Sequence, residues 1–303
     1  METIYWHLPG IYYYAEMNHV LFIAMKKYPE MFRDGYQIAS VYGTFPTAIW
    51  NGGRYSVDGF CKKKEVEDII KSYNDLGIPV RFTWTNVLLE EQHVYDSYCN
   101  MIMKAGNNGM NQVLVNRQVL EDYIRKTYPD YKIVSSTTKR ILNVDQVLDE
   151  LAKDYYLVVL DYDLNHDEKV IERLLPFADR IEILVNETCQ PHCPVRMNHY
   201  KEISKCQIEY DITDKLKNIC PDRSPEARTF KDGMKKPAFM SNSDVDEYAK
   251  KGYRNFKIVG RGLGMDFYLD ALIYYLVKDD NKDFIRRFIF ETVSKVLSAQ
   301  SSK

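Results

Sequence analysis

Tyr156-Leu157-Val158-Val159-Leu160 and Arg180-Ile181-Glu182-Ile183-Leu184-Val185 are two nearly unbroken apolar runs flanking a helical pattern, Asp167–Phe177. Runs this apolar suit parallel strands, which are buried on both faces and need no alternation with polar residues. Strand, helix and strand in that order make a βαβ unit. The same alternation extends in both directions. Gln37–Tyr42, Val80–Thr85, Gln112–Val115 and Lys132–Ser135 precede the unit, and Ala238–Met240 and Asn255–Val259 follow it. Between them lie helical patterns such as Lys63–Leu76, which places Val66, Ile69, Ile70 and Tyr73 on one face and stops at Gly77.

Eight such strands can close into a barrel or form an open doubly wound sheet. No glycine-rich dinucleotide fingerprint follows the first of them, so the pattern predicts a closed (β/α)8 TIM-like barrel, one α/β domain over residues 1–303. The stretch before Gln37 reads as an N-terminal extension with a helix near Asn18–Tyr28. Asp283–Ala299 reads as a closing C-terminal helix. Residues 189–236 are too long for an ordinary βα loop and read as an insertion after the sixth strand, lying over the barrel mouth.

Composition narrows the function classes. With 45% hydrophobic and 28% charged residues, the chain can bury a large core. A formal net charge of -2 lacks the concentrated basic surface of a general nucleic-acid binder. Met1-Glu2-Thr3-Ile4-Tyr5-Trp6-His7 has no basic segment leading into an apolar one, and Val20–Met25 is too short to span a bilayer. A cytoplasmic protein without membrane contact is expected, and its six cysteines then read as thiols or metal ligands.

Polar residues gather just after the strands. Asn86, Asn116, Ser136, Asp161, Asn186 and Arg261 each follow one, and a closed barrel would bring them to the end where barrel enzymes keep their active sites. Singly, such residues also start turns and cap helices. Gly260-Arg261-Gly262-Leu263-Gly264 follows the last strand. There glycines before a helix would let backbone amides approach an anion, with Arg261 as a further donor. Asn51-Gly52-Gly53-Arg54 is a second glycine loop, which would turn Arg54 toward the mouth.

The sharpest local feature is Glu182-Ile183-Leu184-Val185-Asn186-Glu187-Thr188-Cys189-Gln190-Pro191-His192-Cys193. Cys189 and Cys193 leave a strand together, and Cys206 and Cys220 follow in the same insertion. Four thiolates can hold zinc or a [4Fe–4S] cluster. His199 is a substitute ligand and Cys61 an alternative fourth thiol, whereas Cys99 sits in an apolar helical pattern.

The segment Glu182–Tyr200, with Phe256-Lys257-Ile258-Val259-Gly260-Arg261 downstream, resembles the U32 family of collagenase-like peptidases. In that family a strand of the form E-x-x-V-N/H leads into a cysteine, and a later strand ends in a Lys-Ile-x-Gly-Arg-like run. The resemblance implies a barrel and a [4Fe–4S] cluster, with Cys189 matching its first ligand and Lys257 and Arg261 the later strand motif, while Cys193, Cys206 and Cys220 are the other candidate ligands from the insertion itself. Here the pair spacing departs from the family pattern. It also implies oxygen-independent hydroxylation in preference to proteolysis, a small or conjugated anionic substrate, and a protein partner of the same family. On this reading Asp161, His199 and Asn186 are catalytic, Asn86, Asn116, Ser136, Arg196, Lys257 and Arg261 bind substrate, and zinc is the alternative metal. A peptidase-like hydrolase and a non-catalytic zinc- or ligand-binding barrel are the competing readings.

Overall fold

The computed structural model describes residues 2–301 apart from Tyr55, Asp58, 211–228 and Arg261. Eight parallel strands close into a barrel in sequence order. They are β1 (Ile4–Pro9), β2 (Tyr36–Gly43), β3 (Val80–Trp84), β4 (Gln112–Val115), β5 (Lys132–Ser135), β6 (Leu157–Val159), β7 (Ile181–Leu184) and β8 (Asn255–Lys257). The helices α1 (Ala15–Lys27), α2 (Lys63–Asn74), α3 (Ser97–Gly106), α4 (Gln118–Thr127), α5 (Val144–Leu151) and α6 (Glu168–Leu174) follow β1 to β6 in turn. After β7 come α7 (Arg196–Glu209) and the helix Asn242–Lys250. Met265–Leu276 follows β8, and Lys282–Ser301 is the expected C-terminal helix, packed against α1.

The barrel is the one expected, but its membership differs by one strand. The supposed N-terminal extension supplies β1, which pairs with β2 on one side and β8 on the other and closes the sheet. Ala238–Met240 stays outside the barrel. It forms only an antiparallel bridge, Asn186 to Phe239, beside the end of β7. The insertion therefore follows the seventh strand rather than the sixth. The reason is chemical: β1 reads Ile-Tyr-Trp-His-Leu-Pro, and a histidine and a proline interrupt what would otherwise be an apolar run.

That histidine is part of a charged barrel interior. Outward-facing residues such as Trp6, Val41, Phe82, Val113 and Ile183 join the main core with the helices. Leu114, Val134, Leu157, Val159, Leu184 and Val259 form a separate apolar cluster. The remaining space holds polar groups. Arg81 donates through Nε to Gln112 at 2.8 Å and through Nη1 to Glu182 of β7, across the barrel. His7 Nδ1 accepts from Ser40 at 2.8 Å and from Arg81 at 3.1 Å, while Nε2 meets Asn255 Oδ1 at 3.2 Å. This pattern calls for a neutral ring protonated on Nε2. Lys257 Nζ lies 3.1 Å from Glu182 Oε1 and 4.1 Å from the centre of the Tyr42 ring.

Burial first, then Arg81 and Lys257, bring the His7 ring down from 6.5 to about 3, against the pull of Glu182 and Asn255. The sign of the consequence is definite. The unfolded chain takes up a proton near pH 6.5 that folded His7 refuses, so stability is lost as pH falls from there toward 3. His199, lowered to about 4 by burial, acts in the same direction. Urea midpoints are expected to fall from pH 7 to pH 5, and His7→Gln should flatten that slope. An unchanged slope in His7→Gln would show that the buried ring is not its source.

Candidate functional site

The C-terminal mouth is organised around Tyr162, at the end of β6. Asp161 caps the turn Tyr162–Leu164, accepting from the Asp163 amide at 3.1 Å. Opposite it stands Arg140, held in a left-handed conformation (φ 56°) after β5. Its Nη1 reaches both Asp161 oxygens, at 2.6 and 2.7 Å, and its Nη2 reaches Asp163. Asp161 is only 2% exposed. Burial pushes its carboxyl up to about 6, against the pull of Arg140. A carboxyl at that value can both take and give a proton near neutral pH.

The Tyr162 ring links this pair to a second cluster. The Arg140 guanidinium is 5.5 Å from its centre and the Arg196 guanidinium 5.2 Å, and Arg196 also lies 5.6 Å from the Tyr200 ring. Glu187, after β7, accepts from the Thr188 and Cys189 amides at 2.9 and 3.0 Å. Arg54 Nη2 lies 3.6 Å away. Burial works to raise the Glu187 carboxyl, but Arg54, Arg196 and the Cys189 amide together hold it below its usual range. The Cys189 thiol is pushed up by burial and by Glu187, so it is neutral at pH 7. With His199 at about 4, the cluster carries two guanidiniums against one carboxylate.

Four buried polar atoms in this neighbourhood have no hydrogen-bond partner among the described residues: Tyr162 Oη, Asp163 Oδ1, and Nε and Nη1 of Arg196. Arg196 is 3% exposed. Buried polar groups are nearly always paired, so several orphans in one place mark a spot that something else completes.

Helix α7 roofs the mouth because its inner face is tied to the loops below. Gln207 donates to the Ala48 and Ser56 carbonyls, both at 3.0 Å. The Ser204 hydroxyl accepts from the Val87 amide at 3.1 Å. The loop carrying Arg54 sits close beneath. A Cβ on Gly52 would come 2.2 Å from the Thr85 carbonyl oxygen, so only glycine allows that approach. On the β4–β5 side of α7 lies a cavity of about 320 Å3, lined by Val87, Asn116, Arg117, Thr138, Lys139, Met197 and Lys201.

The expected site residues divide accordingly. Asp161, Arg196 and His199 sit in or beside the two clusters, and Asn116 lines the cavity, donating to Thr138 at 2.9 Å. Asn86 donates to the carbonyls of Ile49 and Ser204, and Asn186 exchanges hydrogen bonds with the Val259 backbone at 2.9 and 2.6 Å. Both position backbone. Ser136 caps the turn Thr137–Lys139, and Lys257 lies inside the barrel on Glu182. Arg261 and Cys220 lie outside the described residues. Cys189 and Cys193 are half-buried on the loop after β7, and Cys206 is buried on α7. Cys61 faces Tyr12 and Tyr98, and burial pushes it up to about 11. Among the described residues, no three Cys, His, Asp or Glu side chains gather as a metal ligand set. Arg140, Tyr162 and Asp163 were not foreseen, since nothing in the run Thr137-Thr138-Lys139-Arg140 announces a left-handed turn.

No family profile matches the chain, and no curated protein matches it. Among solved structures the chain is similar to the U32 peptidase Mk0906, with 14% sequence identity and a TM-score of 0.53. The alignment covers 86% of this chain and 93% of that one. At this identity the likeness is one of fold. No described helix is long and apolar enough to cross a membrane.

Proposed function

We propose that this chain is a barrel enzyme that binds the carboxylate of a small or conjugated substrate at Arg196 and uses Asp161 to move a proton. The observation that carries the reading is this group of atoms, above all the two nitrogens of the buried Arg196 that have no hydrogen-bond partner among the described residues. Arg54 and Arg196 exceed Glu187 by one positive charge, which a monoanion would balance. Asp161 is paired with Arg140, whose guanidinium, like that of Arg196, lies against the Tyr162 ring. The likeness to a U32 peptidase fold is compatible with an active site at this end of the barrel. The test is ligand protection. Acetate or benzoate should raise the unfolding temperature of the wild-type protein and leave that of Arg196→Ala unchanged. Equal protection of both proteins would refute the site.

An iron–sulfur centre on Cys189, Cys193, Cys206 and Cys220 is a separable part of the reading. The described residues do not present such a ligand set, so no step is derived through it. Its support is the shared loop that carries Cys189 and Cys193 after β7. Anaerobic reconstitution is expected to load about four irons and four sulfides per chain. Cys189→Ser and Cys193→Ser should abolish loading, and Cys99→Ser should not. Protein that binds neither iron nor zinc under these conditions has no such centre.

A further inference from the structure

The cavity beside α7 has a charge pattern that the Arg196 cluster does not share. Lys139 is already matched, with Nζ 2.5 Å from Glu150 and 2.9 Å from the Tyr155 hydroxyl. Arg117 gives Nε to the Leu89 carbonyl at 3.2 Å. Neither Arg117 nor Lys201 has a carboxylate partner among the described residues. Two positive charges therefore line one cavity without a counter-charge among the described residues, accompanied by the Asn116 amide and the Thr138 hydroxyl.

We propose that this cavity is a phosphate subsite, which takes the phosphomonoester group of the substrate whose carboxylate reaches Arg196. A phosphomonoester carries about 1.5 to 2 negative charges near pH 7 and offers three acceptor oxygens. That charge matches Arg117 plus Lys201, where a carboxylate would leave one cation unbalanced. Oxygens disposed in three directions also suit donors arriving from α7 and from the loops after β4 and β5. The two subsites adjoin through one helical turn. Met197 and Lys201 line the cavity, while Arg196 and Tyr200, one position earlier in each case, face the Tyr162 cluster. Assigning both groups to one substrate rests on the reading of the mouth given above, but the phosphate subsite can be tested without it.

Arg117 and Lys201 are exposed, so replacing them leaves the core intact. Binding of inorganic phosphate and of acetate would be measured by calorimetry at constant ionic strength, with unfolding temperatures of the free proteins as a check on folding. Arg117→Ala combined with Lys201→Ala is expected to weaken phosphate about tenfold or more and to leave acetate unchanged. Arg196→Ala should do the reverse. Phosphate that does not bind the wild-type protein, or that binds the double variant as tightly as wild type, overturns the subsite. So does phosphate binding lost in Arg196→Ala and kept in the double variant. Acetate that ignores Arg196→Ala, with phosphate behaving as expected, defeats the carboxylate site and leaves the phosphate subsite standing.

Discussion

Glu182→Gln is expected to destabilise the protein by about 3–5 kcal/mol, the usual loss when one partner of a buried ion pair is removed. Glu182 and Arg81 are both 0% exposed, and Lys257 shares the same carboxylate. Burial alone would raise the Glu182 carboxyl, yet Arg81, Lys257 and His7 hold it well below the usual range. A folded pKa depressed in this way gives stability that is present above the unfolded value and lost as pH falls through the folded one. Glutamine keeps the shape but removes the carboxylate that Arg81 and Lys257 share, which is why an isosteric change should be so damaging. Urea unfolding at pH 7 measures the effect. Arg81→Met in the same background should recover part of the loss, because it removes one stranded charge. A Glu182→Gln protein as stable as wild type would mean that water or an ion reaches the barrel interior and replaces the carboxylate.

Arg196→Ala has its large effect on binding instead. Losing a charged hydrogen bond to a carboxylate should cost about 1.5–3 kcal/mol, or roughly ten- to a hundredfold in affinity. Stability should move little or rise, because two nitrogens of the buried guanidinium lack partners among the described residues and its removal relieves that burden. This combination separates a ligand-binding arginine from a structural one. An arginine that served only to hold Glu187 and the Tyr162 and Tyr200 rings in place would lower the unfolding temperature when removed. Arg196→Lys tests the shape requirement, since an ammonium keeps the charge but not the planar fork. Calorimetry with acetate or benzoate, beside unfolding of the free protein, reads both quantities.

Seven of the eight barrel strands were legible as short apolar runs, because strands buried on both faces need no polar alternation. β1 was not, and its exception has a local cause. His7 breaks the run, and only the folded barrel shows why it is tolerated: Ser40, Arg81 and Asn255, remote in sequence, satisfy both ring nitrogens. Ala238–Met240 has strand-like residues but finds β7 already paired with β8, so it forms a single bridge.

The candidate site divides in the same way. Sequence order and the polar residues after each strand determined which end of the barrel would be polar, because the chain leaves every parallel strand at the same end. Asp161 was among the residues so marked, and Arg196 was named separately, as a substrate-binding residue of the insertion. Which polar groups meet, and which merely hold backbone, was decided by tertiary structure. Asn86 and Asn186 have the same composition signal as Asp161 but spend their amides on carbonyls. Arg140 reaches Asp161 because of one left-handed residue, and Arg196 reaches Tyr162 because Ser204 and Gln207 lay α7 across the mouth. A hydrogen-bond partner fixed by chain crossings leaves no periodicity in the sequence, whereas burial of a strand does.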